Sequence, residues 1–128
     1  MNRNIQRLEE LLPLIRNEGK APPAVVYALE DGRECPLWNL LSITGKVSVA
    51  QSFMPDGSAF PIHRHGELEV LIPYEGELEY TLDGDTGRVL TGEALLIPPD
   101  VPHCVMANGD TWMIAVTIPD SAGYPHAR

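Results

Sequence analysis

The chain has 128 residues, a length that suits one domain able to bury its own apolar core. Lysine and arginine contribute 9 charges against 18 from aspartate and glutamate, a formal net charge of −9, and no basic cluster offsets it locally. Such a charge repels a phosphate backbone, so we expect no nucleic-acid partner. Cys35 and Cys104 stand in no metal or disulfide spacing, and no apolar run is long enough to cross a bilayer. We therefore expect a cytoplasmic protein without a membrane partner.

Residues 3–18 carry the pattern of an amphipathic helix. Their apolar positions fall on one side of a 3.6-residue period, namely Ile5, Leu8, Leu12 and Ile15. Pro13 has no backbone N–H to donate, so the segment is either one helix or two short ones with Pro13 beginning the second. We expect this helical segment, residues 1–20, to pack against the domain that follows.

From residue 21 onward the sequence has the pattern of short β-strands separated by tight turns. The β-rich runs are AVVYAL, LWNLLSI, KVSVAQSF, LEVLIPY, LEYTL, ALLIP, CVMA and TWMIAVTI. Between them stand PDGS, LDGD, TGE, PPD and NGD, which are rich in the residues that tight turns require. No helical pattern separates the runs, which excludes βαβ units and predicts antiparallel pairing. Residues 21–128 are therefore expected to form a single all-β sandwich or barrel domain.

Three of the four histidines are candidates for a metal site. His63 and His65 are two residues apart, so on a strand both imidazoles project from one face. His103 follows the buried run and proline-rich turn LLIPPDVP, whereas His126 lies in the C-terminal tail and receives no role. A His-x-His pair alone is more often a polar strand face than a metal site, so the pair needs further support.

The tetrapeptide GELE occurs twice, at residues 66–69 and 76–79, and only the first copy follows the histidine pair. In the second copy apolar and polar residues alternate, as in a half-buried strand whose acids face water. Around the first copy both faces are mostly apolar, so a carboxylate there needs a partner, and a metal ion would supply it. Glu67 and Glu69 lie on the same face, and periodicity alone does not choose between them.

The stretch GSAFPIHRHGELEVLIPYEG resembles the first motif of the cupin superfamily at each anchor position. Gly57 is followed after five residues by His63, after one by His65, after three by Glu69 and after six by Gly76. It is this family spacing that selects Glu69 rather than its neighbour as the carboxylate of the site.

The stretch GEALLIPPDVPHCVMAN is similar to the second cupin motif. Five residues separate Gly92 from Pro98, and His103 occupies the position of the third histidine. Asp100 stands where the family usually has a turn glycine, and aspartate tolerates the left-handed conformation better than most residues. The asparagine of the motif falls one position late, at Asn108.

The resemblance implies a double-stranded β-helix, a small barrel of two antiparallel sheets, which is preceded here by the short helical segment. It also implies one divalent metal ion bound by His63, His65, Glu69 and His103. Imidazole and carboxylate ligands suit Fe, Mn, Ni, Zn or Cu, so the ligand set does not identify the metal. Four protein ligands leave positions open on an octahedral ion, and catalysis needs such positions.

Cupins include enzymes, sensors and storage proteins, so the resemblance leaves the function open. The first hypothesis is a metal-dependent enzyme, of dioxygenase, isomerase or lyase type, that acts on a small oxygen-bearing organic molecule. The alternatives are a non-enzymatic module that binds or senses a small molecule or sugar, and a barrel that its metal only stabilises. No catalytic residue is assigned. The edge strands of so small a barrel also predict a homodimer.

The strand pattern places the remaining candidates away from the site. Methionines and aromatic residues are expected in the apolar core rather than in a pocket, namely Trp38, Phe53, Met54, Met106, Trp112 and Met113. Gln51 is expected to face water, and Cys104 to face away from its neighbour His103 and be buried. No cation is nominated to bind a substrate carboxylate, the candidates considered being Arg33, Lys46, Arg64 and Arg88.

Overall fold

The computed structural model describes residue 23 and residues 25–120. The expected N-terminal helix and the C-terminal tail that contains His126 lie outside these residues. Within the described part every regular element is a β-strand, which confirms the all-β class. The same part contains no helix long and apolar enough to span a membrane.

Seven strands form the fold. They are β1 (Val25–Ala28), β2 (Glu34–Ile43), β3 (Val47–Met54), β4 (Leu68–Leu82), β5 (Asp85–Val89), β6 (Leu95–Ile97) and β7 (His103–Ile118). All pairings are antiparallel, with neighbours in the order β1-β2-β3-β7-β4-β5, and β6 pairs with β4 outside that path. The pairing confirms the prediction drawn from the absence of helical patterns between the strands.

The long strands β4 and β7 each contribute to both sheets of the barrel. The first half of β4 lies between β6 and the second half of β7, which in turn pairs with β3. The second half of β4 lies between β5 and the first half of β7. The seven strands are thus connected into one ladder that passes through two bent strands. This arrangement is the double-stranded β-helix, a barrel of two sheets, that the resemblance to the cupin superfamily implied.

Both long strands were predicted as pairs of shorter ones, and the structure corrects that prediction. LEVLIPY and LEYTL join as β4, while CVMA and TWMIAVTI join as β7. The register between them shifts on either side of Glu75, and Gly76 adopts φ +78° at the shift. Gly109 adopts φ +80° on the facing strand. These local kinks bend the strands without interrupting the ladder, so a turn-like sequence here marks a bulge rather than a strand end.

The core lies between the two sheets and is formed by one face of each strand. Met54 and Met113 are buried there as expected, at 0% and 2% exposure. Their neighbours Phe53 and Trp112 point to the outer face instead, because successive residues of a strand alternate. Trp112 stacks on Trp38, with ring centroids 5.7 Å apart. The prediction that these aromatic residues belong to the core is therefore wrong.

Three further expectations on the outer face are also corrected. Gln51 is fully buried rather than solvated, and the Tyr74 hydroxyl donates a 2.9 Å hydrogen bond to its Oε1. Cys104 faces away from His103 as expected but is partly exposed, and Met106 is 36% exposed. The pattern of alternation predicted the direction of these side chains, whereas their exposure depends on what packs over that face.

Candidate metal centre

An isolated antiparallel bridge brings two of the histidines together. His63 lies in the loop before β4 and pairs with His103, the first residue of β7. The His63 N–H donates to the His103 carbonyl at 3.0 Å, and the His103 N–H donates back at 2.9 Å. These two bonds join the loop of the first sequence motif to the start of the strand that carries the second.

The turn before β7 contacts the backbone of His65. Asp100 adopts φ +61°, the left-handed conformation that its place in the second motif requires. Its N–H donates a 2.8 Å hydrogen bond to the carbonyl oxygen of His65. The tolerance of aspartate for this geometry is confirmed, and the turn holds the backbone of His65 in place.

Each imidazole is oriented by a backbone carbonyl on its Nδ1 side. Nδ1 lies 2.8 Å from the Pro61 carbonyl in His63 and 2.8 Å from the Val101 carbonyl in His103. In His65 the corresponding distance, to the carbonyl of Glu67, is 3.1 Å. A carbonyl oxygen only accepts hydrogen bonds, so Nδ1 carries the proton in all three rings. The lone pair of each neutral imidazole is therefore on Nε2, which is the arrangement that metal-binding histidines adopt.

The free sides of the three rings face one another. The ligand atoms of the three histidines all lie within 4.8 Å of one another. The Glu69 Oε1 atom lies 3.3 Å from Nε2 of His65 and 3.6 Å from Nε2 of His103. Adjacent ligand atoms bound at about 2.1 Å to one ion are roughly 3.0 to 3.4 Å apart. The carboxylate and two of the imidazoles thus have close to the separation that a shared ion requires.

The two candidate glutamates lie on opposite sides of His65. Glu69, the second residue of β4, points inward, is 4% exposed and faces Nε2. The Glu67 carboxylate lies 3.6 Å from Nδ1 of the same ring, on the side away from the other histidines. This geometry favours Glu69 as the ligand and gives Glu67 an orienting position, whereas periodicity alone could not separate them.

The electrostatics of the cluster favour an ionised carboxylate. Burial by itself raises the pKa of Glu69, but the imidazoles of His103 and His65 outweigh burial and lower it overall. The contact from His103 is ionic in range rather than a hydrogen bond, since 3.6 Å is too long for one. The hydrogen bond with Glu69 raises the pKa of His65, and burial lowers that of His63. The pKa shifts of Glu69 and His65 therefore share one cause, the attraction between the Glu69 carboxylate and the imidazole of His65.

A cavity of about 30 Å³ opens beside the cluster, between β1, β2, β3, β4 and β7. Its walls are largely apolar, and Glu69 supplies their one charge among the described residues. The lining residues besides His63, Glu69 and His103 are Tyr27, Cys35, Leu37, Ser52, Phe60, Leu71, Val105, Met113 and Ala115. A ligand of the cluster would thus contact apolar side chains on most of its surface.

The amino-acid sequence did not reveal which residues form the rest of the cavity wall. Tyr27 pairs with Cys35 in the β1–β2 ladder. Leu37, two residues after Cys35 on β2, pairs with Ser52 of β3. Phe60 packs edge-on against Tyr27 with centroids 5.9 Å apart. The alternation of side chains along β2 could have shown that Cys35 and Leu37 share the inward face. It could not have shown which residues of other strands this face would contact.

None of the four cations considered from the sequence lines the cavity. Arg33 pairs with Asp31 at 2.6 Å, and Arg88 lies 3.6 Å from Glu79. Arg64 and Lys46 are exposed. Leaving these residues out of the candidate site agrees with their positions.

Comparison with known proteins supplies the family. Residues 50–119, more than half of the chain, match the family model described as a cupin domain. H2HPP isomerase of Bacillus subtilis is 33% identical over 79 residues, which cover 60% of this chain and 33% of that protein. Quercetin 2,3-dioxygenase of Bacillus subtilis strain 168 is 34% identical over 64 residues, 48% of this chain and 19% of the dioxygenase. The chain spans at most a third of the length of either relative.

Solved structures share the fold over most of the chain. KdgF from a Halomonas species superposes with a TM-score of 0.69 at 19% identity, covering 86% of this chain and 94% of that one. A protein described as a predicted oxalate decarboxylase from Thermotoga maritima also reaches 0.69, at 23% identity, with 81% and 96% covered. At these identities the likeness concerns the fold alone.

Proposed function

This chain belongs to the cupin family, and we propose that it is a metal-dependent enzyme that acts on a small oxygen-bearing organic molecule. The observation that carries the proposal is the convergence of three imidazoles and one buried carboxylate at the wall of an apolar cavity. Metal ligands in the wall of a cavity are typical of sites where the ion contacts a substrate.

The residues fit a divalent ion. The His103 Nε2 atom is buried and makes no hydrogen bond, although buried polar atoms are nearly always paired. Its Nδ1 is already engaged, so a proton on Nε2 would leave a buried donor at 3.6 Å from its nearest acceptor in the cluster. An ion held by His63, His65, Glu69 and His103 would satisfy this atom. A bound divalent ion would act as a Lewis acid on an oxygen atom of the substrate.

The protein's own groups would perform the remaining tasks. The carbonyls of Pro61, Val101 and Glu67 hold the rings in the metal-binding tautomer. Glu69 supplies the negative charge that balances the ion. The apolar walls exclude bulk water from the reacting atoms, which strengthens electrostatic interactions inside the cavity.

The relatives support an enzymatic role without defining the reaction. One matched protein is named an isomerase and another a dioxygenase, and both matches fall on part of a longer chain. We therefore propose the general class and leave the type of reaction to experiment.

Replacing His103 by alanine tests the proposal. We expect His103→Ala to fold but to lose metal-dependent activity, because strand pairing and the apolar core supply most of the stability. Wild type and variant are loaded with Fe(II), Mn(II), Ni(II) or Zn(II) and screened against keto-acids, diketones, thiols and uronates. Oxygen uptake and product formation are measured. His126→Ala, the same substitution outside the described residues, is the matched control and should retain both metal and activity.

Metal analysis of protein purified from its native source identifies the ion, since an expression host loads whichever ion binds most strongly. Wild-type protein that holds its metal and binds a member of the panel tightly without turnover would contradict the proposal. That outcome would favour a sensor or binding module.

A further inference from the structure

The cavity beside the metal centre is small. Its volume of about 30 Å³ is room for roughly two water-sized groups. Met113 and Leu71 form part of its wall and are 2% and 6% exposed, so they are held in place by the packed core. The length of a ligand's apolar end is therefore limited by fixed side chains.

The cavity is also poor in charge. Among the described residues that line it, Glu69 is the one charged residue and none is an arginine or a lysine. A divalent ion together with one carboxylate and neutral imidazoles leaves a single positive charge. One anionic group on the ligand neutralises this charge, whereas a second would lie unpaired against apolar walls.

The polar groups of the far wall stay neutral. Burial raises the pKa of the Cys35 thiol to about 12, and burial also raises the pKa of the Tyr27 hydroxyl. Ser52 adds a hydroxyl, 4% exposed. The three groups offer weak hydrogen bonds and no counter-charge for an anion.

From this size and charge we propose that the site selects ligands with at most one negative charge and an apolar end of about two non-hydrogen atoms. This substrate class rests on the proposed metal centre. Small monocarboxylates belong to this class, as do neutral ligands with two oxygen donor atoms, such as short diketones. Dicarboxylates, uronates with bulky polar rings, and phosphates do not.

The test measures binding rather than turnover. The full chain is loaded with Co(II), and its visible absorption is titrated with acetate, propionate, butyrate, hexanoate and succinate. We expect acetate and propionate to bind, and hexanoate to bind at least tenfold more weakly than propionate. Equal binding of hexanoate and propionate would overturn the size limit.

An enlarged cavity separates size from charge. Met113→Ala should tighten butyrate binding at least tenfold, while succinate, which has the same number of carbons but a second carboxylate, stays weak. Leu78→Ala removes a side chain of similar size from a fully buried position outside the cavity and should leave the order of ligands unchanged. Succinate binding Met113→Ala as tightly as butyrate would overturn the charge limit. Should Met113→Ala not fold, Ala115→Val fills the cavity instead and should weaken propionate relative to acetate.

The first step of the experiment distinguishes the two proposals. Cobalt absorption is recorded before any ligand is added. A protein that takes up no cobalt overturns the metal centre and this inference with it, whereas a cobalt protein that binds no monocarboxylate overturns the substrate class alone.

Discussion

Replacing each of the two carboxylates beside His65 separately by an amide is the sharpest test of the metal centre. Glu69→Gln keeps the shape of a side chain that is 5% exposed but removes its charge, while Glu67→Gln does the same to one that is 14% exposed. The first carboxylate faces Nε2 and the second faces Nδ1 of the same ring. Both variants make the same chemical change, carboxylate to amide. They therefore compare the metal affinity lost at a proposed ligand with the affinity lost at a residue that only contacts a ligand.

The expected magnitudes follow from these positions. Loss of one member of a buried charge pair costs about 3 to 5 kcal/mol. At about 1.4 kcal/mol per factor of ten, Glu69→Gln should weaken metal binding by roughly two to three and a half orders of magnitude. In Glu67→Gln the backbone carbonyl at 3.1 Å still accepts from Nδ1 of His65. We therefore expect Glu67→Gln to lose about tenfold in metal affinity, the smallest loss typical of residues that hydrogen-bond to a metal ligand.

Competition with a chromophoric chelator at constant pH measures both affinities, with Zn(II) and Co(II) as probes. Circular dichroism and thermal unfolding of the metal-free proteins control for folding. A Glu67→Gln variant that loses as much affinity as Glu69→Gln, or more, would refute the assignment of Glu69 as the ligand.

Three further predictions concern the barrel itself. Gly76→Ala should destabilise the protein by at least about 2 kcal/mol in urea unfolding, because a Cβ would lie 2.5 Å from the Asp110 carbonyl at φ +78°. Gly84→Ala, at φ +86° with no atom within 4 Å, should cost only about 1 kcal/mol, and equal costs would contradict the steric account. Under native conditions at pH 8 Ellman's reagent should modify Cys104 and spare Cys35, which is fully buried with its pKa raised to about 12; two rapidly reacting thiols would show that the cavity wall opens. Finally, β1 and β5 end the order of the described strands and would offer edges for pairing, so sedimentation equilibrium at micromolar concentration should give twice the mass of one chain, and a monomer would rule the dimer out.

The parts of the site that depend on local chemistry could be predicted from the amino-acid sequence. Alternation of side chains places His63 and His65 on one face, and turn chemistry explains why Asp100 can hold a left-handed turn. The resemblance of the two motifs predicted four ligands; in the structure the ligand atoms of the three histidines lie within 4.8 Å of one another, and Glu69 lies beside two of them. Their role as metal ligands stays a prediction until the ion is measured.

Three features were decided only by tertiary structure. The two breaks predicted between shorter strands became register shifts within the β4–β7 ladder, because each strand stays paired on both sides of its kink. Glu67 and Glu69 share a face in the sequence pattern, and they separate only because Glu67 precedes the strand while Glu69 lies inside it. The cavity wall formed by Tyr27, Cys35 and Ser52 comes from strands far from the histidines in sequence. Periodicity determines the side of a strand on which a residue lies, but the residue it meets across the core depends on long-range pairing, which local sequence does not encode.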